Sequence, residues 1–306
     1  MEAILKTYDL SKTYGRFTGI NNINISISRG DIYGLVGENG AGKTTILKII
    51  TGVIQKSSGE LEVFGKVEEK QLNMERKRMG CIIDQPSFFP YLSANMNLEY
   101  YRLQRGIVSK STIDEVLELV GLSDTGNKKY KDFSLGMKQR LGLALALIGS
   151  PDILILDEPI NGLDPIGIVK FKETIKKLNM ERNITILISS HILSELSLIA
   201  TAYGFVHKGE LLEQCSAKAL NEKCRQYLLV VVDDAAKAAT TLECELGCSD
   251  YIVLNDNVIH VFQYINQPDL LIQTLVSCGV RIYKISCEGS NLESYFIDRI
   301  GGLKHD

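Results

Sequence analysis

One short segment constrains the fold of this chain more than any other: a glycine-rich turn between an apolar strand and a helix. The apolar run Ile32–Val36 precedes the turn, and apolar residues at helical spacing resume at Ile46. Between them the chain reads Gly37-Glu38-Asn39-Gly40-Ala41-Gly42-Lys43-Thr44-Thr45. Glycines let backbone N–H groups point inward around phosphate oxygens, and the helix N-terminus adds a positive dipole end. This order predicts an α/β domain with a phosphate-binding loop.

The residues of this loop have separate tasks. Lys43 can reach the β- and γ-phosphates of a nucleotide, and the Thr44 hydroxyl can ligate Mg²⁺. The other loop residues expected to contact the nucleotide are Gly37, Asn39, Gly40, Ala41, Gly42 and Thr45. The cofactors predicted from the loop are therefore ATP and Mg²⁺.

Two adjacent carboxylates follow the buried apolar run Ile153–Leu156. Asp157 at the end of such a strand can hold Mg²⁺, and Glu158 can polarise an attacking water as a general base. Taken alone, the sequence Asp157-Glu158-Pro159 is also consistent with an exposed acidic turn. Beside the phosphate loop, the pair indicates ATP hydrolysis.

Composition places the chain among ordinary globular proteins. Its 306 residues are 45% hydrophobic and 23% charged, which corresponds to about two domains. The formal net charge of −3 gives no global basic field for nucleic acid. The seven cysteines form no C-x-x-C pair, so we expect reduced, idle thiols in a cytosolic chain. We expect neither a signal peptide nor a membrane span.

The strand and helix patterns divide the chain into two predicted domains. A β-rich layer, with Ile23, Ile25 and Ile27 alternating, precedes the phosphate loop. Residues 92–148 are compatible with helix throughout and interrupt the strand pattern as a helical insertion. We predict a core domain over residues 1–215 and a small C-terminal α+β domain over residues 216–306.

The C-terminal domain is predicted to alternate strands and helices. The segments are a strand at 227–232, a helix at 235–246, a hairpin within 251–262, a helix at 268–278, a strand at 280–286 and a last helix from Asn291. No catalytic constellation is present among them. A regulatory or dimer-stabilising module is the expected role.

Further motifs lie on both sides of the phosphate loop in a fixed order. They read Ser11-Lys12-Thr13-Tyr14-Gly15, Ile82-Ile83-Asp84-Gln85-Pro86, Phe133-Ser134-Leu135-Gly136-Met137-Lys138-Gln139-Arg140, Asn161-Gly162-Leu163-Asp164 and, after an apolar run, His191. With this series the chain resembles the ATP-binding subunits of ABC transporters over roughly residues 1–215. The resemblance implies a P-loop ATPase core.

The resemblance also implies roles for individual residues. Tyr14 would stack on adenine, and Gln85 would sense Mg²⁺ and the attacking water while linking to the membrane partner. His191 would contact the γ-phosphate. Ser134 and Gly136 would donate hydrogen bonds to the γ-phosphate of the ATP held by the other subunit of a dimer.

The sequence around Ser134 departs from the commonest family pattern. Leu135 replaces a glycine and Met137 a glutamine. This sequence motif resembles that of the ATPases of bacitracin-type and lantibiotic-type peptide exporters, which also carry a short C-terminal appendix. It implies export of a peptide antibiotic or a similar amphipathic compound, and hence antibiotic resistance.

The resemblance implies partners and a location. A separate membrane permease would be driven by a homodimer in the ATP-bound state, on the cytoplasmic face of the membrane, with no nucleic acid involved. Met96 stands where the family commonly has an acid. Phe88, Phe89 and Tyr91 are consistent either with core packing or with a permease-docking groove. Substrate choice would belong to the permease.

Two other functions fit parts of the sequence. A soluble ABC ATPase acting on DNA or the ribosome is the alternative, although the interval from Lys43 to Ser134 is too short for long coiled coils and the chain has one ATPase copy. A non-hydrolysing nucleotide-binding module would not need Glu158 and His191.

Overall fold

The computed structural model describes residues 2–84 and 87–289, together with Tyr295 and Arg299. It forms two compact units, Met1–Ala217 and Lys218–Asp306, and each has a hydrophobic core of its own. Within the described residues, no helix combines the length and apolar composition that a membrane span needs.

The first unit contains strands of two sheets and the helices that flank them. Its strands are β1 (Ala3–Tyr14), β2 (Phe17–Ile23), β3 (Ser26–Ser28), β4 (Ile32–Val36), β5 (Ser58–Val63), β6 (Met79–Ile82), β7 (Ile153–Leu156), β8 (Thr185–Ser190), β9 (Ala202–His207) and β10 (Glu210–Ser216). Its helices are α1 (Lys43–Ile50), α2 (Glu69–Glu75), α3 (Ala94–Gln104), α4 (Ser111–Leu119), α5 (Leu135–Leu147), α6 (Pro165–Arg182) and α7 (Leu193–Leu196).

A six-stranded sheet forms the centre of this unit, in the order β10-β9-β4-β8-β7-β6. All neighbours are parallel except β10, which runs antiparallel to β9. Every residue of β4, β7 and β8 is buried, which explains the apolar runs in these strands, although β8 begins with Thr185 and ends with Ser189 and Ser190. The predicted α/β fold is confirmed. Because parallel strands end at one edge, the residues after β4, β7 and β8 are brought together.

The β-rich layer is an antiparallel sheet in which β1 pairs with β2, β3 and β5. Ile23, Ile25 and Ile27 are buried, as their alternation predicts, but they do not share one strand. Asn22 adopts a φ of 50°, and the Asn24 side chain accepts a hydrogen bond from the Asp9 backbone N–H at 2.8 Å. The ladder is therefore interrupted between β2 and β3.

The predicted helical insertion contains α3, α4 and α5, with 3₁₀ turns at Ser123–Thr125 and Tyr130–Asp132. Helix α5 begins where the Ser134 hydroxyl accepts a hydrogen bond from the Met137 N–H at 3.3 Å, a typical N-cap. The C-terminal half of α5 is buried, which anchors the insertion to the sheet domain.

The second unit is a four-stranded antiparallel sheet with helices packed on one face. Its elements are α8 (Ala217–Lys223), β11 (Tyr227–Val232), α9 (Ala235–Leu246), β12 (Tyr251–Asn255), β13 (Val258–Val261), α10 (Pro268–Ser277) and β14 (Ile282–Glu288), and the sheet order is β12-β13-β11-β14. Strand β14 starts two residues after the predicted Val280, because the Arg281 N–H donates to the Asp233 carboxylate instead of a neighbouring strand. The helix predicted from Asn291 lies outside the described residues, apart from Tyr295 and Arg299.

Candidate functional site

The turn after β4 has the backbone geometry of a phosphate-binding loop. Gly42, the residue before α1, has a φ of 106°, and a Cβ there would lie 2.7 Å from Ile20 Cγ2. At Gly37, a Cβ would lie 2.3 Å from the Val206 carbonyl oxygen. Only glycine fits at either position, so the loop lies close against its neighbouring strands.

The other predicted loop residues follow the course of this turn. Asn39 and Gly40 are exposed at its crest, and Ala41 is buried with its N–H donating to the Glu38 carbonyl at 3.1 Å. Thr45 lies half-buried in the first turn of α1. The crest of the loop is thus exposed, and the buried Ala41 fixes its inner side to the core.

Lys43 lies folded back over the loop and is only 5% exposed. Its ammonium donates to the Gly37 carbonyl at 2.6 Å and to the Glu38 carbonyl at 3.2 Å. It also pairs with Glu158 Oε1 at 3.0 Å. A buried cation is therefore held at the mouth of the loop by oxygen atoms.

Thr44 and Asp157 meet across the edge of the sheet. The Thr44 hydroxyl donates to Asp157 Oδ2 at 2.7 Å, and the Ser189 hydroxyl donates to Asp157 Oδ1 at 2.6 Å. Among the described residues, no group of three or more His, Cys, Asp or Glu side chains could hold a metal. One carboxylate beside one hydroxyl fits Mg²⁺ nonetheless, because Mg²⁺ is usually bound by few protein ligands together with waters and substrate phosphates.

Glu158 is contacted from several directions. Its Oε2 lies 2.8 Å from His191 Nδ1 and accepts a hydrogen bond from Asn161 Nδ2 at 3.2 Å. Burial raises the pKa of this carboxyl, but hydrogen bonds from His191 and Lys43 outweigh burial, so its pKa lies below the ordinary value. Glu158 is therefore ionised and can accept a proton. Its φ of 46° is unusual for a residue with a side chain.

Ser134 and Gly136 do not join this cluster within one chain. The hydrogen bonds of Ser134 stay within α5. Both residues line a separate cavity of about 370 Å³ with the segment 162–167. Leu135 is partly exposed beside them and packs near Gly162.

The remaining predicted residues are Tyr14 and Gln85. Tyr14, at the end of β1, is 46% exposed, and the Lys12 ammonium lies 5.1 Å from the centre of its ring. Its ring is accessible for stacking. Gln85 lies outside the described residues.

One residue of the site, Ser189, was missed by sequence reasoning. It ends the apolar run before His191 and resembles an ordinary strand terminus. No local sequence signal distinguishes it: only the register of the sheet, in which β7 and β8 pair Leu156 with Ile188, places Ser189 beside Asp157.

Comparisons with known proteins agree with this geometry. The ABC transporter family model matches residues 20–161. The bacitracin transport ATP-binding protein BcrA of Bacillus licheniformis is 43% identical over 302 residues, which cover 99% of both chains. The lantibiotic transport ATP-binding protein SrtF of Streptococcus pyogenes is 46% identical over 209 residues, or 68% of this chain and 89% of that protein.

Solved structures show the same fold. The cbiO1 protein of Clostridium perfringens, part of the ABC transporter complex cbiONQ, has a TM-score of 0.66 and 26% identity, covering 73% of this chain and 92% of that one. A dimeric bacterial ABC transporter cassette has a TM-score of 0.62 and 25% identity, covering 70% of this chain and 98% of that one. With a nucleotide-binding loop, two acidic residues and a histidine converging at one sheet edge, this chain belongs to the ATP-binding proteins of ABC transporters and hydrolyses ATP to drive transport.

Proposed function

We propose that this chain is the ATP-hydrolysing subunit that powers a separate membrane permease and exports a peptide antibiotic or similar amphipathic compound. The observation that carries the proposal is the similarity to BcrA along 99% of both chains, which includes the second unit as well as the ATPase core. BcrA is a bacitracin transport protein by name, and SrtF a lantibiotic transport protein. We place the chain on the cytoplasmic face of the membrane, held there by the permease.

In the proposed site, the loop 37–45 holds the phosphates and Tyr14 stacks on adenine. Thr44 and Asp157, together with Gln85, would hold Mg²⁺, which when bound neutralises charge on the β- and γ-phosphates. The hydrogen bond that joins Thr44 to Asp157 supports this assignment, since it places both oxygen donors side by side.

The ion pair between Lys43 and Glu158 provides a way for ATP binding to free the proposed catalytic base, Glu158. The phosphates of an incoming ATP compete with Glu158 for the Lys43 ammonium. When Lys43 turns to the phosphates, Glu158 Oε1 is released to accept a hydrogen bond from the attacking water. His191, already 2.8 Å from Glu158 Oε2, holds that carboxylate in place and would contact the γ-phosphate.

A homodimer completes the proposed site. Ser134 and Gly136 line a cavity apart from their own phosphate loop, so they are free to face the ATP of a second copy. The dimeric state of a similar cassette supports this arrangement.

We propose that the permease docks on an exposed apolar patch, defined as Phe89, Tyr91, Met96 and Tyr100. Phe89 and Tyr91 are 42% and 69% exposed, and the rings of Phe89 and Tyr100 pack edge to face at 4.7 Å. Phe88 is buried instead and packs on Tyr130 at 5.0 Å. Exposed aromatic side chains of this kind provide hot-spot contacts in interfaces.

Deletion of the gene in its native host tests the proposal. We expect growth of the deleted strain to be inhibited by a lower concentration of bacitracin or of a lantibiotic than growth of its parent, because export would stop. A plasmid copy of the wild-type gene should restore resistance, whereas a Glu158→Gln copy should not. Unchanged susceptibility to both peptides, with the tagged chain recovered on a soluble partner, would favour the alternative of a nucleic-acid or ribosomal ATPase.

Truncation tests the role of the C-terminal domain, which we propose to be an accessory module beginning near residue 216. A chain ending at Ala217 retains every proposed site residue and both sheets of the first unit. We expect binding of a fluorescent ATP analogue to persist, with weaker dimerisation or poorer coupling to transport. Sedimentation in ATP, compared with the full chain, measures the dimer. Loss of all nucleotide binding in a folded truncation would place the domain boundary elsewhere.

A further inference from the structure

Ser189 lies at the centre of the sheet edge and has no exposed surface. Ser189 is the penultimate residue of β8, before Ser190, and β8 lies between β4 and β7 in the sheet. Because β7 and β8 are parallel and in register, its side chain lies beside the two carboxylate-bearing residues that follow β7. A buried hydroxyl requires hydrogen-bond partners, and both partners of this one belong to the ATPase site.

The direction of each hydrogen bond follows from chemistry. The Glu158 backbone N–H can only donate, so Ser189 Oγ accepts from it at 2.8 Å. The Asp157 carboxylate can only accept, so the single Ser189 proton is donated to Oδ1 at 2.6 Å. One hydroxyl thus holds the side chain of Asp157 and the backbone of Glu158 at once.

These two contacts fix the orientation of the Asp157 carboxylate and the backbone conformation of Glu158. With Oδ1 occupied by Ser189, the carboxylate of Asp157 presents Oδ2 to Thr44, where the proposed metal site is. Glu158 adopts a φ of 46°, which an L-residue keeps only when its surroundings enforce it. The Ser189 contact with its N–H supplies one such restraint, immediately before the side chain that turns toward Lys43 and His191.

We infer that Ser189 is a positioning residue of the ATPase, which orients Asp157 toward the metal and Glu158 toward the attacking water. The inference rests on the roles proposed above for Asp157 and Glu158. It assigns no contact with ATP to Ser189 itself. Removal of a group that holds a metal ligand in this way commonly lowers metal affinity or activity by about 10- to 100-fold.

Ser189→Ala in the full-length chain tests this inference, with Ser190→Ala as the matched control. Ser190 is the next residue of the same strand and is also buried, but its hydroxyl donates to Glu195 at 2.9 Å and does not contact Asp157 or Glu158. Both variants lose one buried hydroxyl. Only the first loses the contact with the carboxylates.

The first readout is binding. The affinity for a fluorescent ATP analogue is measured with Mg²⁺ and again with EDTA, and the ratio gives the affinity gained from the metal. We expect Ser189→Ala to bind normally in EDTA but to lose most of this gain, whereas Ser190→Ala keeps it. Turnover, the second readout, should fall by about 10- to 100-fold in Ser189→Ala alone.

Asp157→Ala separates failure of this inference from failure of the proposed metal site. If Asp157→Ala keeps the full Mg²⁺-dependent gain, the metal site itself is misassigned. If Asp157→Ala loses the gain and Ser189→Ala retains both the gain and turnover, the role of Ser189 is overturned. Equal losses in Ser189→Ala and Ser190→Ala would also overturn it, since deletion of any buried hydroxyl would then have the same effect.

Discussion

Replacing Glu158 by Gln should lower ATP turnover by about 10²–10⁴-fold while leaving ATP binding nearly intact. An amide has nearly the shape of the carboxylate but cannot take a proton from the attacking water. Hydrogen bonds from His191 and Lys43 hold the pKa of the wild-type carboxyl below the ordinary value despite burial, so the group is ionised and able to accept a proton. Phosphate release at steady state measures turnover, and a fluorescent ATP analogue measures binding.

The Glu158→Gln protein should also accumulate as an ATP-bound dimer, because closed sites would no longer reopen through hydrolysis. Size-exclusion chromatography with and without ATP detects this species. Glu181→Gln is the matched control, since the Glu181 side chain is exposed near the end of α6 and lies outside the site. It should keep turnover close to wild type. Near-normal turnover in Glu158→Gln would remove Glu158 from the catalytic role.

Mixing two inactive variants should restore part of the ATPase activity. Lys43→Ala loses the buried ammonium that is proposed to bind the phosphates, and Ser134→Arg places a large cation where a small hydroxyl would meet ATP. Each homodimer is then damaged at both sites. In the heterodimer, one site should carry both lesions and the other neither, because in the proposed dimer each site takes Lys43 from one chain and Ser134 from the other.

The size of this rescue can be estimated. Random mixing of equal amounts leaves about a quarter of all sites intact, so activity should rise toward that level, limited by how well a single intact site turns over. Differently tagged variants, purified through both tags, isolate the heterodimer for assay. A purified heterodimer without activity above either parent would contradict a site shared between chains.

Much of this protein can be predicted from local sequence. The strand Ile32–Val36, the strand Ile153–Leu156 and the helix Ala235–Leu246 were located from apolar spacing and turn residues, and the structure has the same bounds. The phosphate loop and the carboxylate pair are predictable because each depends on a short run of neighbours, whereas His191 is predictable only through the order of motifs that the family resemblance supplies. Such signals persist in sequence since their geometry is set within a few residues.

The contacts that assemble the site depend on the register of the sheet. The sequence contains Thr44, Asp157 and Ser189 far apart, and only the parallel pairing of β7 with β8, and of β8 with β4, brings them within hydrogen-bond distance. Aromatic residues near one another in sequence also separate in space, with Phe88 buried and Phe89 exposed.

The sequence by itself therefore determined the family, the ATPase chemistry and the identity of most residues expected at the site, because these rest on local motifs in a fixed order. The tertiary structure decided which atoms face one another: Lys43 toward Glu158, Ser189 toward Asp157, and Ser134 toward a separate cavity. Those relations join residues across different strands and helices. They arise from sheet register and helix packing, which no local pattern specifies.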